Sequence, residues 1–471
     1  MADTQMARIA VLGGGPGGYA AAFLAADLGM ETVLIDPDVN PGGVCLYRGC
    51  IPSKALLHVA KVIHESQEAK AWGVTFGKPK VDLDRVRAWK SEVVEKLTGG
   101  LGQLSRRRNI TYIRGTGRFE NARSLAVETG DGLVRVGFED AIVATGSRPA
   151  ALPFAPFGGR IMDSTAALDL PEVPERLLVV GGGYIGLEMG SVYAALGSRV
   201  TVVEMLGSLL PGVDADLVRP LARRVEARFE AVHVNARIVS MEETTSGVAV
   251  VLDGALEEKN RTFDRALVSV GRKPNSSGLG LEGTGVRVDE QGFIEVNGRR
   301  RTGEPSIYAI GDVAGQPMLA HKASHEGRIA VEAIAGHKAV YEPAAVPAVV
   351  FTDPEVAWCG LTETEAKARG IAVEIGRFPW GASGRALTLG RTDGLTKILT
   401  DPASGRVLGV GITGPGAGEL IAEGVLAVEM AATARDLDLT IHPHPTLSET
   451  VMEAAATIFG TATDVYKPKR K

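Results

Sequence analysis

The sequence predicts an α/β fold with two Rossmann-like dinucleotide-binding domains, on three observations. A strand, glycine turn, helix and strand occur twice in that order, each unit ends on an acidic residue, and the spacing inside the two units is identical. In the first unit residues 8–12 read as a buried strand, followed by Gly13, Gly15 and Gly18, an alanine-rich helix reaching Gly29, and a strand over 32–35 that ends at Asp36. In the second, a strand over 177–180 is followed by Gly181, Gly183 and Gly186, a helix to Gly197, and a strand over 199–203 that ends at Glu204. The acid follows the first glycine by 36 − 13 = 23 positions in one unit and 204 − 181 = 23 in the other.

Each part of this pattern has a physical role. The first glycine makes the tight turn, the second admits a pyrophosphate, and the third lets the helix pack on the strand. The helix N-terminus then offers unpaired N–H groups and a favourable dipole to the phosphates. The terminal carboxylate is placed to accept hydrogen bonds from a ribose diol. A single glycine triplet is weak evidence, but two complete units leave little room for a purely structural reading.

Further elements follow the same logic. Residues 141–146 read as a strand running into Thr145 and Gly146, and 267–271 are its counterpart in the second unit. Residues 307–312 form another strand-to-turn signal that sets Asp312 where it can bind a polyhydroxyl chain, although taken singly that residue reads as a helix N-cap. Proline- and glycine-rich stretches over 148–159, 274–285 and 341–347 divide the chain into 1–147, 148–276, 277–345 and 346–471.

Composition narrows the function. The 471 residues and a hydrophobic share of 45% allow several cores, and a net charge of −5 gives no support for binding nucleic acid or an anionic membrane. No apolar run approaches the roughly 20 residues of a membrane span. With Asp3 inside the first six residues there is no secretory signal, so a cytoplasmic location is expected. The basic stretch 467–471 reads as a solvated terminus.

Two of the three cysteines, Cys45 and Cys50, are separated by four residues and can close a small reactive disulfide ring. Spacing alone leaves a structural disulfide or a zinc site open. A zinc site wants two more soft ligands, whereas Cys359 stands alone, so no metal site is expected. A structural disulfide belongs to small secreted scaffolds rather than to a long chain with few cysteines. Redox chemistry is the better reading, with the first nucleotide unit, just upstream, holding the redox cofactor. In the second unit Glu204 is followed by Met205, Leu206 and Gly207 with no arginine to receive a 2′-phosphate, which favours NAD over NADP.

Together these residues resemble the flavin-dependent pyridine nucleotide-disulfide oxidoreductases, most closely the dihydrolipoamide-oxidising members. The likeness spans the whole chain. It rests on the first glycine unit, Gly-Cys-Ile-Pro-Ser-Lys at 49–54, Ala-Thr-Gly at 144–146, Gly-Tyr-Ile-Gly-Leu-Glu at 183–188, Gly-Asp at 311–312, Met-Leu-Ala-His-Lys at 318–322 and His-Pro-Thr-Leu-Ser-Glu at 444–449.

The resemblance implies FAD in domain 1–147, in contact with Gly43, Lys54, Gly117, Asp312 and Ala320, and NAD in domain 148–276 near Glu204, Ile238 and Gly271. It implies that 277–345 completes the FAD site and that 346–471 is an α+β dimerisation domain of a homodimer. Catalysis would rest on Cys45 and Cys50, on Lys54 and Glu188 beside the flavin, and on His444 oriented by Glu449, with His442 in a supporting or structural place. The expected partner is a lipoylated acyltransferase subunit of a 2-oxoacid dehydrogenase complex, or a lipoylated glycine-cleavage protein. The chain departs from the family at Tyr47 and Arg48, where asparagine and an apolar residue are usual, and at Pro443, where alanine is common. Arg48 reads either as an exposed arginine screened by solvent or as a fixed positive charge that favours the Cys45 thiolate.

Overall fold

The computed structural model describes residues 4–466. Asp3 and the basic stretch 467–471 therefore lie outside the described residues. The first sheet contains β1 (Thr4–Leu12), β2 (Thr32–Asp36), β3 (Thr111–Asn121), β4 (Ser124–Thr129) and β5 (Gly132–Val143). β1 lies between β2 and β5, parallel to both, and its apolar residues from Ile9 to Leu12 are buried on both faces. β3 pairs with β2 in parallel through its first residues and with β4 antiparallel through its last, so the sheet curls back from β4 to β5.

β1 begins at Thr4, earlier than the hydrophobic run predicts, because the long β5 templates it from Thr4 onward. The strand expected over 141–146 instead stops at Val143. There the Ala144 N–H bonds to the Leu12 carbonyl at 2.8 Å, and Gly146 turns to φ 70°, which takes the chain out of the sheet. β6 (Ser147–Pro149) follows directly.

The second sheet joins β7 (Ile161–Met162), β8 (Arg176–Val180), β9 (Arg199–Val203), β10 (Ala231–His233) and, beyond an antiparallel meander of β11 (Arg237–Thr244), β12 (Gly247–Asp253) and β13 (Asn260–Phe263), the strand β14 (Arg265–Val268). Its spatial order is β10-β9-β8-β14-β7, all parallel. β15 (Arg272–Pro274) then returns to pair antiparallel with β6 and stitches the two sheets together. β16 (Ile307–Ala309) joins the first sheet beside β5, so a segment remote in sequence completes that layer.

The last sheet is antiparallel, in the order β17-β18-β21-β20-β19, from β17 (Ala348–Val350), β18 (Glu355–Gly360), β19 (Glu374–Pro379), β20 (Leu395–Thr400) and β21 (Val407–Gly414). The helices Ala417–Glu429 and Glu449–Phe459 cover it, enclosing a core with Trp380 and Phe378.

Two charged clusters fasten this sheet to the second nucleotide unit. The Lys397 ammonium, with a side chain 1% exposed, lies 2.7 Å from Asp214, 2.6 Å from Asp216 and 3.3 Å from Glu363. Asp353 accepts from Arg224 at 2.9 Å and pairs with Arg228 and Arg391. Among the described residues no helix is long and apolar enough to cross a membrane.

Candidate active site

One cavity of about 550 Å³ runs along the carboxyl ends of the first sheet. Its far end is built by Gly13 and Gly15 in the turn after β1, at the start of α1 (Pro16–Asp27), and by Asp36 at the end of β2. No side chain caps the N-terminus of α1, so its N–H groups are left for a ligand. The backbone is crowded there. A Cβ on Gly13 would lie 2.3 Å from the Ala144 carbonyl oxygen, and one on Gly43 would lie 2.5 Å from the Gly15 Cα. Gly18 does not line the cavity; a Cβ there would meet the Gly13 carbonyl at 1.8 Å, which places it at the helix–strand contact.

Asp36 accepts hydrogen bonds from the Gly14 N–H at 2.5 Å and the Asp38 N–H at 3.0 Å. Burial nonetheless raises its pKa, against those two bonds. Gly117, Thr145 and Gly146 form the wall, and Asp312 and Ala320 close the opposite side. Asp312 sits in a short 3₁₀ turn, Gly311–Ala314, rather than at a helix N-cap, and accepts from the Ser147 hydroxyl at 2.6 Å.

The cysteines face the middle of this cavity. Cys45 lies on the short helix α2 (Gly43–Arg48), and Cys50 opens α3 (Cys50–Glu68). Both are half-buried free thiols. The Cys45 thiol hydrogen-bonds to the Cys50 sulfur, which lowers the Cys50 pKa to about 7 despite burial, with Lys54 assisting. The same hydrogen bond, together with burial, raises the pKa of Cys45.

One turn along α3, the Lys54 ammonium lies 2.9 Å from Glu188, whose side chain is 4% exposed. The Phe351 N–H donates to Glu188 at 3.0 Å, and the Phe351 ring lies 4.5 Å from the Lys54 ammonium. The buried Glu188 and the half-buried Lys54 thus form a charge-balanced pair, with the Phe351 N–H as a further donor to the carboxylate. Sequence reasoning missed Phe351, Ser147 and Arg272, which reach the site through contacts remote in sequence.

Arg48 is claimed by a neighbouring acid. Its guanidinium grips Asp38 in a two-pronged pair at 3.0 and 2.7 Å, while Lys54 is the leading cation that lowers the Cys45 pKa. Its charge is spent on the loop after β2.

The second unit repeats the backbone logic of the first. Glu204 accepts from the Gly182 N–H at 2.6 Å and the Leu206 N–H at 2.7 Å, as Asp36 does from Gly14 and Asp38. A Cβ on Gly181 would meet the Ser269 carbonyl at 2.6 Å, and one on Gly186 the Gly181 carbonyl at 2.3 Å; Gly183 and Gly271 are open on that side. Ile238 instead packs into the apolar core with Val180 and Val203.

His444 lies elsewhere, 79% exposed, and is not part of the cavity wall. Its Nδ1 is 2.9 Å from Glu449, which also accepts from the Thr446 N–H at 2.7 Å. Burial pushes the Glu449 carboxyl up, but those two partners outweigh it and hold its pKa low. His442 Nε2 is 2.8 Å from Glu423 and its Nδ1 is 2.9 Å from the Thr440 carbonyl, which makes it a structural group.

The cavity therefore fits a flavin dinucleotide. Glycine turns and an uncapped helix N-terminus suit a pyrophosphate, the two end carboxylates suit sugar and ribityl hydroxyls, and the thiols stand at the reactive middle.

Comparison with known proteins gives the same picture. Residues 7–327 match the pyridine nucleotide-disulphide oxidoreductase model and residues 346–455 match the dimerisation domain of the same group. A dihydrolipoyl dehydrogenase of Vibrio parahaemolyticus is 48% identical over 472 residues, covering 100% of this chain and 99% of its own. That of Haemophilus influenzae is 47% identical, covering 98% and 97%. Among solved structures, LpdA of Mycobacterium tuberculosis aligns with a TM-score of 0.88 at 30% identity, covering 97% of this chain and 100% of its own. The HOCl-induced flavoprotein disulfide reductase RclA of Escherichia coli aligns at 0.86 and 27% identity, covering 96% and 100%.

Proposed function

The chain belongs to the pyridine nucleotide-disulphide oxidoreductase family, and from the placement of Cys50 against the cavity we propose how its residues carry out the reaction. It is an NAD-dependent flavoprotein disulfide oxidoreductase that oxidises dihydrolipoamide. FAD, when bound, takes up an electron pair from the reduced cysteines and delivers it as hydride to NAD⁺.

In the oxidised enzyme Cys45 and Cys50 are joined. A thiol of dihydrolipoamide gives its proton to a base and attacks Cys45; the Cys45–Cys50 bond breaks and Cys50 leaves as thiolate. The second substrate thiol, deprotonated in turn, displaces Cys45, so lipoamide leaves with its own disulfide closed and the cysteine pair holds two electrons. Cys50 is the better leaving group and the better resting thiolate because its pKa is the lowered one. Lys54 and Glu188 keep a compensated charge pair beside it, so neither charge is buried alone.

The base is His444, held in one tautomer by Glu449. Because His444 is exposed and outside the cavity wall of its own chain, the site is completed in a homodimer, where the partner subunit's His444 serves the cysteines. The dimerisation domain supports that arrangement. The carrier of dihydrolipoamide is then a lipoylated subunit of a 2-oxoacid dehydrogenase complex or a lipoylated glycine-cleavage protein. Glu204, with no arginine after it, selects NAD⁺ over NADP⁺.

The direct test is reduction of NAD⁺ by the purified protein with free dihydrolipoamide, with NADP⁺ as the control. Turnover with NAD⁺ that is lost in Cys50→Ser is the expected result. Equal turnover with NADP⁺, or activity that survives Cys50→Ser, refutes the assignment.

A further inference from the structure

Asp312 is held from two sides by groups of different origin. Its backbone is fixed from below, because the Gly311 N–H donates to Glu326 at 2.6 Å and Glu326, fully buried, is paired with Lys322 at 3.1 Å and Arg300 at 3.0 Å. What remains free is the torsion of its carboxylate, and that is set by the Ser147 hydroxyl at 2.6 Å.

Ser147, 2% exposed, is itself occupied from the other side. Arg272 donates its Nε–H to the Ser147 hydroxyl oxygen at 2.7 Å and an Nη2–H to the Ser147 carbonyl at 2.8 Å. Arg272 immediately follows Gly271, the turn at the carboxyl end of β14 in the second unit, where the space that a side chain would fill is open.

The register is locked. β6 and β15 pair antiparallel, Thr145 donates to the Asn275 carbonyl at 2.8 Å, and the Asn275 amide returns to the Thr145 carbonyl at 3.0 Å. A displacement or ordering of the 271–274 strand is therefore passed to Ser147 instead of being absorbed.

We propose that Arg272, Ser147 and Asp312 form a hydrogen-bond relay through which NAD⁺ bound at the second unit tightens the grip of the first unit on FAD. Arg272 and Ser147 are positioning residues, and Asp312 is the group that meets the cofactor. The proposal rests on the reading of the two units as FAD and NAD sites. The relay is read directly as the ratio of FAD release rates with and without NAD⁺.

The test is FAD release from the folded holoprotein at a fixed sub-denaturing temperature. It is followed as the rise in flavin fluorescence, with and without saturating NAD⁺, while circular dichroism confirms that the chain stays folded. In the unmodified protein NAD⁺ slows release by about fivefold or more, the lower end of ordinary coupling between sites. Ser147→Ala releases FAD about tenfold faster, as for loss of one charge-assisted hydrogen bond, and the NAD⁺ effect falls below about twofold. Ser147→Thr, which keeps the hydroxyl, restores it, and Arg272→Met behaves as Ser147→Ala.

A merely structural role for Ser147 would speed release equally in both conditions and leave the ratio intact. An unchanged ratio in Ser147→Ala, or no NAD⁺ effect in the unmodified protein, overturns the relay. A protein that fails to oxidise dihydrolipoamide yet shows the ratio and its loss would refute the substrate reading and leave the relay standing.

Discussion

Replacing Cys45 with alanine removes the hydrogen bond that chiefly holds the Cys50 pKa at about 7. The ordinary thiol value of 9.0 is two units higher, so the local environment shifts the thiolate-to-thiol ratio about a hundredfold, each unit being a factor of ten. In the variant burial still works against the thiolate more strongly than Lys54 favours it, so the Cys50 pKa should rise by at least about one unit.

The sign is fixed by the direction of the shift. Cys50 titrates below the ordinary range, so the difference between parent and variant is largest on the acid side and vanishes above about pH 9. At pH 6 a thiol with a pKa of 7 is about 9% thiolate and one with a pKa of 8 about 1%, so alkylation of Cys50 should slow about ninefold. The assay is iodoacetamide labelling of the reduced holoprotein from pH 5 to 9, with each cysteine quantified by peptide mass spectrometry. A Cys50 profile unchanged in Cys45→Ala, or a parent protein in which Cys45 and not Cys50 titrates near 7, would refute the assignment of the two sulfurs.

Other outcomes follow from the same geometry. His444→Gln should slow dihydrolipoamide turnover by about 10²–10⁴ while NADH oxidation by a one-electron dye persists, since only the thiol steps need the base; equal loss of both would instead indicate a folding or assembly defect. Glu204→Ala should raise the NAD⁺ KM by about 10- to 100-fold, the range for charged hydrogen bonds, and narrow the gap to NADP⁺; steady-state kinetics with both nucleotides decide this. Arg48→Val should leave the Cys45 alkylation profile unchanged even at low salt, because Asp38 already neutralises that guanidinium; a raised Cys45 titration would restore the charge effect. Asp353, whose pKa is held at about 2 when Arg391, Arg224 and Arg228 overcome the cost of burial, contributes stability above the ordinary carboxylate range that is lost as pH falls from about 4 towards 2. Thermal melts over that window should therefore show a shallower pH dependence in Asp353→Asn.

The parts of this site that can be read from the sequence are those where the backbone itself is the binding surface. Gly13 and Gly181 announce themselves because a side chain there would strike the facing carbonyl, and the carboxylates of Asp36 and Glu204 must then fall at a fixed distance along the chain. Side-chain partnerships across units carry no such periodic trace. The contact of Lys54 with Glu188 spans 134 positions, that of Ser147 with Asp312 spans 165, and Phe351 reaches Glu188 from 163 residues away. The first of these was open to inference only through resemblance to a family, and the others not at all. The partner of Arg48 was hidden for a related reason, since sequence proximity to Cys45 gave no sign that Asp38, ten residues back, would pair with it.

The Lys397 cluster sets the unit of exchange for this architecture. A chimera that takes its second nucleotide unit from a relative, to change the preferred nucleotide, would import a new helix opposite β20 while keeping a lysine that is 1% exposed and dependent on Asp214 and Asp216. Unless both acids travel with the graft, the buried ammonium keeps only Glu363, at 3.3 Å, of its three carboxylate partners, a loss of pairing that costs up to about 3–5 kcal/mol. Recombination of parts should therefore succeed when the second unit moves together with the C-terminal sheet, and fail when 148–276 is exchanged alone at the bounds that the sequence marks for it.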